Sequence, residues 1–176
     1  MYSLAQIGRA FTNPRLVLRE LNRLYYTRGR RWEYNRRGVD VFEEDWDNLL
    51  ILDACRYDAF ERAIADQSLP GHLESRLSRG SSTPEFLKSN VHGADLTDTV
   101  YVTGTTMIYR EHVLNGELEV NFHAIVDVWG DSIDYGEWGV LPETMAERTR
   151  ETVAEYPDKR VVAHFIQPHI PFVGPT

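Results

Sequence analysis

Asn48-Leu49-Leu50-Ile51-Leu52-Asp53 decides the fold. A short apolar run closed by a carboxylate fits a buried strand of a parallel sheet. Helical spacing follows at Tyr57, Phe60, Ala63 and Ile64, and Pro84 opens a short helix over residues 84–90. Residues 99–103 (TVYVT) and 122–129 read as strands. Pro142 opens a helix to about Tyr156, with Glu143 and Glu147 favourable near its positive end. Residues 160–167 (RVVAHFIQ) read as another buried strand. Elements alternating at these lengths predict an α/β domain with a largely parallel sheet flanked by helices. No internal repeat or low-complexity tract interrupts it.

Ligands bind such sheets beyond the carboxyl ends of the strands. That rule selects Asp53 and the residues after it, the turn after Thr103, and Gln167-Pro168-His169. A carboxylate at the end of an apolar strand is costly to bury without a partner. A metal ion, an arginine or a helix N-terminus would each supply one. The alternative is that Asp53 caps the helix that follows. Ser81, Ser82 and Thr83 stand at the start of the next helix. There Ser82 and Glu85 match an S-x-x-E capping box, or Thr83 caps with Pro84 at the first helical position. The same place sits in positive potential, which favours an alkoxide and an incoming phosphate or sulfate.

The rest of the chain splits by charge. Residues 1–38 carry nine arginines against Glu20 and Glu33, a balance of +7. The remainder carries ten basic and twenty-five acidic side chains, so the whole is −8. Asn13-Pro14 opens an amphipathic helix in the basic part, with Leu16, Val17, Leu21, Leu24 and Tyr25 on one face and arginines between them. The expected division is a basic helix and linker over 1–38 and an α/β body over 39–176. An acidic body disfavours nucleic acid and anionic membrane. The arm, through Arg28, Arg30, Arg31, Arg36 and Arg37, keeps a non-catalytic binding module open as an alternative. No uncharged apolar run of about 18 residues occurs, so no membrane span is expected. With Cys55 the one cysteine, no internal disulfide forms, and a cytoplasmic setting is expected. Cys55 itself reads as a small core residue, and Arg56 either faces the cleft or lies on the surface.

Asn48 to Asp58 resembles the first strand of the alkaline phosphatase/sulfatase superfamily, where the Asp ending the strand is a metal ligand. Gly80-Ser81-Ser82-Thr83-Pro84-Glu85-Phe86 falls where that superfamily carries its nucleophile. Residues 161–172, with His169-Ile170-Pro171, resemble its His-x-Pro segment. The chain looks most like the sulfatase-like proteins of halophilic archaea. The resemblance implies a hydrolase or transferase of phosphate or sulfate esters with a serine nucleophile, Ser82 on a sulfatase alignment and Ser81 on a lipoteichoic-acid-synthase-like one. It implies Asp53 on a divalent metal (Ca, Mn, Zn or Mg) and His169 on the anionic ester substrate; the helix N-terminus at Thr83, and Arg56 if it faces the cleft, would bind the same group. The superfamily's further ligands come from an Asp-His segment downstream, and this sequence has no Asp-His pair. An apparently truncated domain is therefore expected, its last strand left at an unpaired edge: a fragment, a truncated gene product, or one half of a site completed by a second polypeptide.

Overall fold

The computed structural model describes residues 34–131 and 140–169, together with Val17, Leu18 and Leu21. The chain divides into two compact units, Met1–Glu33 and Tyr34–Thr176. In the first, Val17, Leu18 and Leu21 are helical and exposed; the rest of the expected basic helix lies outside the described residues. The second unit begins before Gly38, because Asn35 N–H donates to the Arg79 carbonyl over 2.9 Å and Val39 N–H to that of Leu77 over 2.9 Å.

The body runs β1 (Asn48–Leu52), α1 (Tyr57–Ile64), α2 (Thr83–Asn90), β2 (Leu96–Thr103), a π-helical segment Tyr109–Leu114, β3 (Phe122–Asp127), α3 (Val128–Asp131), α4 (Pro142–Glu155) and β4 (Arg160–Phe165). The four strands form one parallel sheet in the order β1-β4-β2-β3. Residues two apart on a strand share a face. Tyr101 and Val162 therefore face α2, where they pack with Leu87, Val91 and Leu96. Val102 and Val161 face the other way, onto Met145 of α4 and onto Val128 and Val140. Each fully buried Leu or Val contributes about 2 kcal/mol. Helices thus cover both faces, as a parallel sheet requires.

Two expectations change. The last strand lies between β1 and β2 rather than at an edge, and β1 and β3 are the edges. The β1 run is accordingly only half-buried, and on one face alone, at Leu49 and Ile51. Leu50 and Leu52 are 60% and 37% exposed, because α4 packs on β4 and β2 rather than over β1. The segment leading into β1 is held by Arg160. Its guanidinium lies 3.7 Å from the centre of the Trp46 ring and donates to the carbonyls of Trp46 (3.1 Å) and Glu44 (3.0 Å). Among the described residues no helix is long and apolar enough to cross a membrane.

Candidate functional site

Asp53 continues the pairing of β1 by one step, its N–H donating to the Phe165 carbonyl over 3.2 Å. The chain then turns at Ala54, whose φ of 60° is left-handed and costs about 1 kcal/mol for a residue with a side chain. The helix α1 starts only at Tyr57, with Arg56 at its N-cap position. Asp53 is therefore not the cap of α1. Its carboxylate instead accepts from another element: Thr83 Oγ1 donates to Asp53 Oδ2 over 2.8 Å. Thr83 is the first residue of α2, so the half-buried carboxylate sits at the positive end of that helix, where negative charge is stabilised.

The hydroxyls ahead of Thr83 are arranged differently from either capping pattern. Ser82 takes the N-cap backbone conformation, but its side chain makes no capping bond. Glu85 reaches back one residue further, its Oε2 accepting from Ser81 N (2.8 Å) and Ser81 Oγ (2.6 Å). The preceding loop folds tightly onto the helix. A Cβ at Gly80 would lie 2.3 Å from Phe86 N and 2.6 Å from Phe86 Cα, so Gly80 serves a close approach of the chain to itself. Arg79 anchors the same loop, pairing with Asp40 and donating to the Ser89 carbonyl over 3.0 Å.

Beneath Asp53 lies a polar pair within the core. Tyr101 OH and His164 Nδ1 are 2.7 Å apart, and both residues are buried, at 0% and 2% exposure. Burial pushes the His164 imidazole down to about 4, against the opposing pull of the Asp53 charge. Burial, and after it the same charge, raises the Tyr101 hydroxyl. Neither residue follows from the motifs. The available signal was a histidine inside the apolar run Val161-Val162-Ala163-His164-Phe165, where burial of an imidazole demands a partner.

The other expected residues are placed as follows. Arg56 lies on the surface, its side chain 79% exposed and paired with Asp58 at 2.8 Å. His169 is exposed in the turn after β4, its N–H donating to the Ile166 carbonyl over 3.0 Å; the Gln167–Pro168 peptide before it is cis. Cys55 is half-buried. Asp53 and Thr83 are thus brought together, and Arg56 is turned to solvent.

No protein-family model, curated protein or solved structure matches the chain.

A divalent ion in an open catalytic site takes about three protein ligands. No group of three or more His, Cys, Asp or Glu side chains that could hold a metal forms among the described residues. Asp53 and Thr83 supply one carboxylate and one hydroxyl, so the described residues do not by themselves fit such an ion. What they do provide is a hydroxyl hydrogen-bonded to a carboxylate, at the carboxyl edge of a parallel sheet and the N-terminus of a helix. That arrangement can activate an oxygen nucleophile and favour a bound oxyanion.

Proposed function

We propose that the chain acts on phosphate or sulfate esters, as a hydrolase or transferase, through a hydroxyl nucleophile held at the start of α2. The observation that carries the reading is the bond from Thr83 to Asp53. Ser81 Oγ also meets a carboxylate, but that bond lies four residues along one helix start and has a sufficient explanation as local capping. The Thr83 bond joins two elements at the edge where parallel sheets bind ligands. Among the three hydroxyls the geometry therefore favours Thr83 over Ser81 and Ser82.

In this reading Thr83 Oγ1 attacks the phosphorus or sulfur and its proton passes to the Asp53 carboxylate. The bond to the ester oxygen breaks, and that oxygen leaves as the alcohol after taking a proton from water. Water then cleaves the threonine ester, or a second alcohol accepts the group. The positive end of α2 stabilises charge on the non-bridging oxygens. His169, on the same carboxyl edge, contacts the anion. The divalent metal implied by the resemblance would take Asp53, and its other ligands would come from outside the described residues or from a second polypeptide.

Phosphatase and sulfatase assays with aryl esters test this, with added Mn, Zn, Mg or Ca and with chelator. The chain is compared with Asp53→Asn, Ser81→Ala, Ser82→Ala and Thr83→Ala. Loss of turnover in Asp53→Asn and Thr83→Ala, with both serine variants active, is the expected result. Loss confined to a serine variant would move the nucleophile there. Absence of turnover under every condition, from a folded chain, would leave the Arg-rich arm and a binding role as the better account.

A further inference from the structure

Phe86 is the side chain that α2 sets against the polar pair in the core. Its ring lies edge-on to the His164 imidazole, with centroids 6.4 Å apart, and the imidazole lies edge-on to Tyr101 at 6.1 Å. Leu87 and Val91 of the same helix pack with Tyr101 and Val162. Thr83 stands one turn before Phe86, on the helix end that meets Asp53. The first turn of α2 is thus seated on the sheet through side chains, with the Tyr101–His164 pair beneath it.

Hydrogen-bond accounting fixes the state of that pair. Among the described residues the Tyr101 hydroxyl has His164 Nδ1 as its partner, and both side chains are buried. If Nδ1–H donated to the phenol oxygen, the phenol's own proton would be left without an acceptor, at the cost of a lost hydrogen bond. Tyr101 therefore donates, and Nδ1 accepts as the unprotonated nitrogen of a neutral ring. A second proton on the ring has to sit on Nδ1. It turns the Tyr101 proton away from its acceptor and places a charge in the core. The titratable groups facing His164 are Tyr101 from β2 and, through its charge alone, Asp53 beyond β1. From α2 comes the uncharged Phe86 ring, while Glu85 bonds to Ser81 and Lys88 to Glu117. On β3, two strands away, Asp127 stands in the same row.

We propose that α2 is an acid-sensitive latch: proton uptake by His164 unseats its first turn from the sheet and parts Thr83 from Asp53. Opening gives the charged ring and the displaced phenol proton access to water. It leaves the sheet intact, because the strands pair with one another and not with α2. The imidazole titrates at about 4 when covered against an ordinary 6.5, so falling pH favours the open form between those values. The control this places on the proposed ester chemistry rests on that reading; the opening itself does not.

The test is amide hydrogen exchange of the full chain, read by NMR as protection factors in neutral and mildly acid buffer. The Leu87 and Lys88 amides of α2 should be less protected than Val102 and Val162 in the sheet, since they exchange through a smaller opening. Their protection should fall about 30-fold from about pH 7.5 to about pH 5, and far less in His164→Gln. Tyr101→Phe removes the bond that favours the neutral ring, so in that variant the fall should begin at higher pH. Protection of α2 that does not change with pH would overturn the latch. So would protection equal to that of the sheet at both pH values, which would mean that α2 opens only when the whole unit unfolds. A fall of the same size in a folded His164→Gln variant, or one that begins at the same pH in Tyr101→Phe, would overturn the role of His164. Should the chain turn over no ester, the ester reading fails, while the exchange result still decides whether His164 controls α2.

Discussion

Thr83 Oγ1 donates to Asp53 Oδ2 over 2.8 Å, tying the first turn of α2 to the residue that follows β1. A half-buried bond to a carboxylate is worth about 2 kcal/mol. Thr83→Val should lower stability by about that amount, and Thr83→Ser should retain most of it. A double-mutant cycle with Asp53→Asn, followed by urea unfolding, isolates the pair. Additive losses would show that the two side chains do not interact.

Gly80 and Gly38 are predicted to resist substitution for the same reason. An alanine Cβ at Gly80 would meet the backbone of Phe86 at 2.3 Å, and one at Gly38 would meet Arg79 N at 2.4 Å. Backbone cannot swing aside as a side-chain end can, so each Gly→Ala change should cost about 3 kcal/mol. Denaturant midpoints of the two variants check this. A loss below about 1 kcal/mol would mean that the loop accommodates a methyl group.

The Arg79–Asp40 pair should respond asymmetrically. Both side chains are largely shielded, so Arg79→Met strands a carboxylate and should cost about 3 kcal/mol. The double change Arg79→Met with Asp40→Leu should recover most of that loss, since two apolar groups leave no charge uncompensated. Urea unfolding of the single and double variants reads both outcomes. A double variant no better than the single would place the effect in the Ser89 contact instead.

His164 makes stability depend on pH in a defined window. Its folded-state value is about 4 against an ordinary 6.5, so the unfolded chain binds the extra proton between these limits. The contribution is fully present above pH 6.5 and is lost as pH falls toward 4, amounting to about 3 kcal/mol. His164→Gln carries no such proton. Its stability should therefore fall less steeply than that of the unsubstituted chain over this range, when unfolding is followed at several pH values.

The elements were legible because hydrophobic spacing is local. Leu49 to Leu52, Pro84, Pro142 and the run before His164 each announce a strand or a helix start within a few residues. Strand order was not legible, because nothing in residues 160–165 states that they enter between β1 and β2. The exposure of Leu50 and Leu52 follows from that order and was missed with it. At the candidate site, Asp53 was found from its position at a strand end. Three consecutive hydroxyls, Ser81, Ser82 and Thr83, satisfy several spacing rules at once, and only the backbone path decides which one meets Asp53. The Tyr101–His164 pair joins residues far apart in sequence, so no motif could have contained it.

The insertion of β4 also sets an order of assembly. The sheet partner of β1 is β4, in a register that pairs Asn48 with Val161, so β1 stays unpaired until nearly all of the described chain is available. Closing a loop of that length is a slow, entropically costly step. Asp53 can reach its place beside Phe165 only when that loop closes. Thr83 therefore has no carboxylate partner in a fixed position until the last described strand has entered the sheet.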